Sequence, residues 1–522
     1  MSQIAVYSGL FIMPGKEKTM KYLVTSHEMR EYDTNTIEKI GIPGMVLMER
    51  AALAVASLIT QKFGEYVCGT KKVLVLAGVG NNGGDGLAVA RLLSESGYNV
   101  CVLCVGDTNK ASEQWKQQRK ILERYPVSVI SQEETGSKIP KEEYTILVDA
   151  LFGVGLTREI TGRYAGAVED FNRRNGFKVA VDIPSGVDAD NGKILGCAVK
   201  ADATVTFGFC KRGLVLYPGC ENAGKVVTAE IGISEGSFFG KEPEMFYLDE
   251  DVRTLVPKRN SAGNKGTFGK VLLVAGSRNM AGAAILSAKA AYCVGAGMVK
   301  VITPEENRII LQEMLPEALL GTAEDLPESM KWADMIAVGP GLGKSAEALE
   351  CLTKIICEST RPLLIDADGL NLLAEHADLQ EKLRNSHRTV ILTPHVGELS
   401  RLTGESIAEL KQDLAAAGQR LAQKLHAIVA AKDARTFICA EEKPVCLNFR
   451  GNSGMATAGS GDVLAGIISG LLAQGAEPFM AACTGVALHA ASGDAAAQEK
   501  GEYALMAGDI AKWAGHLLKE RH

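Results

Sequence analysis

Asp462 closes the ribbon Gly451-Asn-Ser-Gly-Met-Ala-Thr-Ala-Gly-Ser-Gly-Asp462, whose glycines and small residues cannot build a core. Such a ribbon frees backbone N–H groups, because glycine tolerates φ > 0 and close approach of a ligand. Val463, Leu464, Ile467, Ile468, Leu471 and Leu472 follow at helical spacing. The ribbon therefore runs into a helix N-terminus, where backbone donors and the dipole favour an anion. A bare carboxylate beside a phosphate would repel it, so in a working site Asp462 is a base facing a substrate hydroxyl. The alternative is an N-cap, for which aspartate is well suited.

A second set of chemistry-bearing residues lies in the first half. Asn81, Asn82 and Asp85 sit inside the glycine-rich stretch 78–86, Asp149 precedes Ala-Leu-Phe-Gly-Val-Gly155, and Asp182 precedes Ile-Pro-Ser-Gly-Val-Asp188. Asp149 with Asn82 and Ser185 offers oxygen ligands suited to a hard cation. Asp182 could then give or take a proton. The alternative is that each aspartate separately caps a turn. In the second half, His395 ends a strand after Pro394, as a structural residue or a substrate contact. Lys432 and Thr436 could reach phosphates or form a solvated turn.

The elements that must position these groups are strands of a parallel sheet. Lys71–Ala77 is a strand, 78–86 a turn satisfying GxGxxG through Gly78, Gly80 and Gly83, and a helix is expected from Leu87 to about Ser96. Asp107 is the available acidic residue after the next strand. Strands at 145–149, 178–182, 270–276, 331–338, 362–366, 389–393 and 427–431 also end in polar turns. Ligands of open α/β sheets bind beyond the carboxyl ends of the strands, so these turns define the candidate site edges. Strand–turn–helix alternation implies a largely parallel sheet covered on both faces. Gly339-Pro-Gly-Leu-Gly-Lys-Ser345 imitates a phosphate-binding P-loop, but Val338 stands where its first glycine is needed, and that reading is rejected.

At 522 residues, more than one domain is expected. Residues 1–19 read as a leader of unknown role, 20–233 as a first domain, 234–249 as a linker and 250–522 as a second domain. A net charge of −6 and the lack of a basic stripe argue against nucleic acid. By this reading no apolar run approaches the ~20 residues that span a bilayer. The twelve cysteines are scattered, as in reduced intracellular proteins. Cys101 and Cys104 fall on opposite faces of one strand, so they read as core. A zinc site is not expected.

Five motifs in order carry a resemblance: Asn264-Lys-Gly-Thr-Phe-Gly, Gly339-Pro-Gly-Leu-Gly, Asp366-Ala-Asp-Gly-Leu-Asn, Thr393-Pro-His-Val-Gly-Glu and the 451–462 ribbon. They resemble the ribokinase-like NAD(P)H-hydrate dehydratases. Gly80-Asn-Asn-Gly-Gly-Asp-Gly and Asp182-Ile-Pro-Ser-Gly-Val-Asp are similar to NAD(P)H-hydrate epimerase domains. The two together, over about residues 20 to 515, resemble a family of bifunctional repair enzymes. The fold implied is α/β: an N-terminal Rossmann-like three-layer domain and a C-terminal ribokinase-like three-layer domain.

The resemblance implies that nicotinamide cofactors hydrated at C6 are epimerised by the first domain. The S form is then dehydrated by the second at the expense of ADP or ATP, giving AMP and phosphate when ADP is the donor. It places K+ at Asn82, Asp149 and Ser185, and the epimerase substrate at Asn81, Asn82, Gly83, Gly84, Asp85, Gly153, Val154, Gly155, Leu156 and Asp182. In the dehydratase it implies the hydrate at Ala283, Gly341, His395 and Asp462, and nucleotide with Mg2+ at Lys432, Asp433, Ala434, Arg435, Thr436 and Gly461. NAD(P)H hydrates and ADP are the expected partners of a cytoplasmic homo-oligomer, without nucleic acid or membrane. Two positions depart from the family pattern. Asp433 stands where glycine is usual, and Phe449-Arg450 where Pro-Thr is common. The residues alone equally fit a ribokinase-like small-molecule kinase fused to a Rossmann-like domain, a nicotinamide-dependent dehydrogenase or a nucleotide sensor.

Overall fold

The computed structural model describes residues 20–65, 70–131, 142–249 and 252–519. The 1–19 leader lies outside them. The chain divides into two compact units, Tyr22–Glu244 and Met245–His522. The linker-like stretch falls on both sides of this division. Within the first unit Ser237 is buried, its carbonyl accepting from Asn35 Nδ2 at 3.0 Å, while Met245–Leu248 is a strand of the second unit.

In the first unit, seven parallel strands run in the order Ser128–Ser131, Asn99–Cys104, Lys72–Ala77, Ile146–Ala150, Phe177–Val181, Ala203–Phe207 and Lys225–Ala229. Alternation along Lys72–Ala77 divides the core: Val73, Val75 and Ala77 face one cluster, Leu74 and Leu76 the other. Helices Gly44–Phe63 and Asn81–Glu95 cover the first face, and Gly162–Arg173 the second. Cys104 packs in the first cluster and Cys101 against the second, as strand alternation requires. The order reverses between Lys72–Ala77 and Ile146–Ala150, which opens a crevice at their carboxyl ends.

Gly44–Phe63 corrects one expectation. By length and composition it is the one described helix that could cross a membrane. Its stripe Leu47, Met48, Ala51, Ala52, Val55 and Ile59 is instead buried in the first unit's core.

The second unit's sheet runs Leu319–Gly321, Met298–Ile302, Lys270–Val274, Met335–Val338, Leu363–Ile365, Val390–Leu392, Ile428–Ala431, all parallel. Thr436–Cys439 and Val445–Asn448 add antiparallel, and Met245–Leu248 joins the latter in parallel. Consecutive residues Val271–Val274 are all buried, so both faces are covered. The order reverses between Lys270–Val274 and Met335–Val338. Helices Ala281–Cys293 and Ser460–Ala473 approach so closely that a Cβ on Gly466 would lie 2.1 Å from Ser287 O.

Candidate functional site

The glycine-rich segment of the first unit is helix, not turn. Asn81–Glu95 starts at Asn81, six residues before the expected Leu87, so Asn81, Asn82 and Asp85 occupy its first turns. Its glycines serve packing. A Cβ on Gly83 would lie 1.8 Å from Gly78 O, and one on Gly86 would lie 2.5 Å from Ala150 Cβ. The helix start can therefore sink into the crevice between the two central strands. Asp107 stays outside it, capping a short turn by accepting from Asn109 N at 3.1 Å.

At that crevice lies a cavity of about 760 Å³. Asn81, Asn82, Asp85, Gly153, Val154, Gly155, Leu156 and Asp182 all line it. Gly83 and Gly84 are buried behind its wall, the latter against Met48. Asp149 and Ser185 lie beneath it. Ser185 N and Oγ donate to Asp149 at 2.8 and 2.7 Å, and Phe152 N donates to Ser185 Oγ at 2.8 Å. Burial pushes the Asp149 carboxyl up to about 6, against the lowering effect of its hydrogen bonds from Ser185 and Leu151. Among the described residues no cationic side chain pairs with it. Asn82 stands close by the 151–155 turn, where a Cβ on Gly153 would meet its side chain at 3.2 Å. Its buried Nδ2 has no hydrogen-bond partner.

Asp182 adopts φ +68°, uncommon for a residue with a side chain. Lys211 Nζ donates to its Oδ1 at 2.6 Å, with Thr206 Oγ1 and Phe207 N at 3.2 Å. Lys211 was missed in the sequence, as was Asp33, another cavity residue. Nothing local in the sequence marks Lys211, and its pairing with the strand Met20–Val24 (Val24 with Lys211) brings it inward. Desolvation raises the carboxyls of Asp33 and Asp85 above the usual range, the latter well above it. The negative charge of Asp182 adds to both, and that of Asp33 to Asp85.

The second unit builds its site at its own reversal point. Gly341 has φ +58°, and a Cβ there would lie 2.7 Å from Ala283 Cβ, so the two residues expected to line one pocket are in contact. The apparent P-loop is absent as a function: Lys344 Nζ pairs with Glu375 at 2.5 Å and Ser345 caps the next helix. Asp462 lies in the first turn of Ser460–Ala473, behind Gly459 at φ +88°. It is not the cap residue. Desolvation and the nearby Asp366 and Asp368 charges raise its carboxyl to about 6, although Lys432 opposes them.

Lys432 Nζ donates to Asp366 Oδ1 at 2.9 Å, and Thr393 Oγ1 to the same oxygen at 2.7 Å. A Cβ on Gly461 would lie 3.4 Å from Lys432 Nζ and 3.9 Å from Asp366 Oδ2. Gly461, Lys432, Asp366 and Asp462 therefore form one cluster. Thr436 opens the strand after the 432–436 turn, and Arg435 NH1 donates to Ala434 O at 3.2 Å. Asp433 pairs with Lys411 at 3.8 Å and is 40% exposed, which directs its charge to the surface. At the other departure, Arg450 pairs with Asp249 at 3.6 Å.

His395 has a structural role. Its Nδ1 accepts from Gly397 N at 2.9 Å, capping Val396–Thr403, while Glu398 Oε2 accepts from His395 N at 2.8 Å. An accepting Nδ1 leaves the proton on Nε2, which lies 3.4 Å from Glu398 Oε1, while the side chain is 54% exposed at the mouth of the site. His489 went unnoticed in the sequence. Its Nε2 donates to Ser460 O at 3.0 Å, supporting the ribbon from behind, and burial lowers it to about 4. A histidine deep in an alanine-rich helix carries no local signal of this contact.

Fold and sites together define a two-part α/β enzyme. A cavity lined by Asp33, Asp85 and Asp182 lies at a Rossmann-like sheet, and a ribokinase-like sheet has a glycine ribbon that ends at a raised carboxylate. Residues 44–213 match the family model of the YjeF-related protein N-terminus, and residues 271–514 match that of NAD(P)H-hydrate dehydratase. Bifunctional NAD(P)H-hydrate repair enzyme Nnr of Moorella thermoacetica is 36% identical over 520 residues, covering 95% of this chain and 97% of its own. That of Escherichia coli is 33% identical, covering 92% and 91%. Among solved structures, ADP/ATP-dependent NAD(P)H-hydrate dehydratase from Bacillus subtilis, co-crystallised with ATP/Mg2+, is 28% identical. It covers 52% of this chain and 96% of that one at a TM-score of 0.46.

The chain belongs to the family of bifunctional NAD(P)H-hydrate repair enzymes. It combines an epimerase with an ADP/ATP-dependent dehydratase, and the kinase, dehydrogenase and sensor readings give way.

Proposed function

We propose that Asp462 deprotonates the C6 hydroxyl of the S hydrate, which then attacks the terminal phosphoryl group of ADP. Phosphate leaves in the following elimination, and AMP and the reduced cofactor remain. A base raised to about 6 is ionised at neutral pH yet keeps useful proton affinity. The observation that carries this reading is the cluster of Asp462, Gly461, Lys432 and Asp366 at the end of the ribbon. Backbone N–H groups at the start of Ser460–Ala473 would stabilise the transferring phosphoryl group. Lys432 to Thr436 would hold the nucleotide, and Ala283, Gly341 and the His395 Nε2–H would line the hydrate pocket. Mg2+ fits as a companion of the phosphates: Asp366 Oδ2 accepts from no described donor, and Mg2+ prefers one or two carboxylates plus phosphate oxygens. The surface pairing of Asp433 with Lys411 keeps the extra charge off the phosphate side, which leaves the site open to a nucleotide polyphosphate.

In the first unit we assign the substrate to the cavity at Asn81, Asn82, Asp85, Gly153 to Leu156 and Asp182, with Gly83 and Gly84 shaping the wall. Asp182 exchanges a proton with the substrate. The donor set also fits K+: an uncompensated buried Asp149 carboxylate, the Ser185 hydroxyl and the oxygen of the Asn82 amide. K+ would supply the missing positive charge and fix the 151–155 turn. Epimerisation is then expected to rise with K+ and saturate. Asp149→Asn should abolish that response and lower the rate about 10-fold or more. Rates measured at constant ionic strength in K+ against tetramethylammonium test this, and an unchanged rate would remove K+ from the site.

Exposed Ile309, Ile310 and Met314, all within one short helix, support a homo-oligomer. The eleven cysteines among the described residues are all free, which suits a reducing cytoplasm.

A further inference from the structure

We infer that Lys211 is a positioning residue of the epimerase: it engages one carboxylate oxygen of Asp182 from inside the fold and leaves the other to the C6 hydroxyl, so that Asp85, across the same cavity lining, is the group that gives the proton. The inference rests on assigning the epimerase to this cavity.

Lys211 is 1% exposed, and an ammonium so buried is costly unless paired. Its partners are Asp182 Oδ1 at 2.6 Å, Phe207 O at 2.9 Å and Thr206 Oγ1 at 3.0 Å, which use all three N–H donors. None remains for Asp85. Thr206 Oγ1, Phe207 N and Lys211 Nζ all donate to Asp182 Oδ1, and Oδ2 accepts from no described donor. The left-handed backbone at Asp182, φ +68°, persists because these bonds over-determine the side chain. Strain and a saturated ammonium together fix one oxygen and present the other.

The charged groups facing this pair come from several elements. Asp33 lies on Ser26–Asn35, Asp85 on Asn81–Glu95, and Cys210 beside Lys211 itself, while Arg30 and Arg158 also line the cavity. Asp85 accepts no hydrogen bond from a described residue. Desolvation, with the charges of Asp182 and Asp33, favours its protonated form. One carboxylate tied to an ammonium and one carboxyl without a partner make an acid and a base from the same residue type.

The reaction then balances as follows. Asp85 gives its proton to the C6 hydroxyl oxygen; the C6–O bond breaks and the oxygen leaves as water with that electron pair. The N1 lone pair closes a C6=N1 double bond. Water adds to the opposite face of C6, the π pair returns to N1, and Asp182 Oδ2 takes the proton released by the new hydroxyl. Exchange with solvent resets both carboxyls. Nothing is oxidised or reduced.

The test uses the full chain with Lys211→Met, Lys211→Arg and Asp85→Asn, and follows epimerisation of the R hydrate. Dehydration of the S hydrate and a thermal melt serve as controls for folding. Lys211→Met is expected to lower the epimerisation kcat about 100-fold while KM stays within about threefold. Lys211→Arg keeps the charge and should restore most of the lost kcat. Asp85→Asn should lose the alkaline limb and about 100-fold in kcat. Wild-type kcat in Lys211→Met overturns the inference; if that variant does not fold, wild-type kcat in Asp85→Asn does so. Wild-type epimerisation by Asp182→Asn would instead remove the cavity assignment beneath it.

Discussion

Replacing Asp462 with asparagine is expected to lower the dehydratase kcat by about 10²- to 10⁴-fold while epimerisation continues. Asparagine fills the same space and keeps the helix start, so the loss would report the missing base. The position explains the size of the effect. Asp462 sits in the first turn of Ser460–Ala473, reached through Gly459 in the left-handed region, and it is not spent on capping. With Asp462 as the proposed base, the working form is the carboxylate. Burial raises its pKa to about 6, so the dehydration rate should climb as pH rises through about 6 and then level off. The asparagine variant should lack this step. Stopped reactions on purified S hydrate from pH 5 to 8 measure it, and a retained step would assign the titration to another group, Glu398 being the nearest candidate at about 7.

Lys432→Met carries the second large effect, on binding and stability together. Lys432 is 19% exposed and its partner Asp366 is 2% exposed, so removal leaves a buried carboxylate without its cation. Breaking a fully buried pair costs about 3–5 kcal/mol; the partial exposure of the lysine puts this one at the lower end, about 3 kcal/mol. Asp462 loses the same positive neighbour and its carboxyl should rise further, which weakens the base. Nucleotide KM is expected to increase about 10-fold or more, because an ammonium beside Gly461 is lost from the phosphate side. Lys432→Arg should recover stability before it recovers affinity, since a planar fork does not replace a compact ammonium. Denaturant melts with and without ADP separate the two effects.

Much of this was legible in the sequence because chemistry and fold share one signal. An apolar run that ends in aspartate is both a buried strand and a carboxylate delivered to the sheet edge, as at Asp149, Asp182 and Asp366. The ribbon before Asp462 was equally plain. Elsewhere the reading fell short for physical reasons. Gly83 and Gly86 looked like a loop, yet their missing Cβ atoms let a helix approach Gly78 and Ala150, a requirement that exists only in three dimensions. His395 offered two readings, and its Nδ1 proved to be a helix cap. Lys211 reaches Asp182 across 29 residues and Lys432 reaches Asp366 across 66. In the second pair the lysine was already singled out; in the first only Asp182 was, and nothing local marked Lys211.

The central claim, that one chain both interconverts and dehydrates the two hydrates, is most directly tested by the reduced-nicotinamide absorbance band. Purified protein in K+ and Mg2+ is given mixed-epimer NADPH hydrate with ADP or, separately, with ATP, beside an Asp182→Asn control that sets the contribution of spontaneous epimerisation. The account predicts recovery of the band beyond the S fraction, faster than the control, with ADP the better donor. Recovery that stops at the S fraction in both proteins would contradict the epimerase, and no recovery with either nucleotide would contradict the dehydratase.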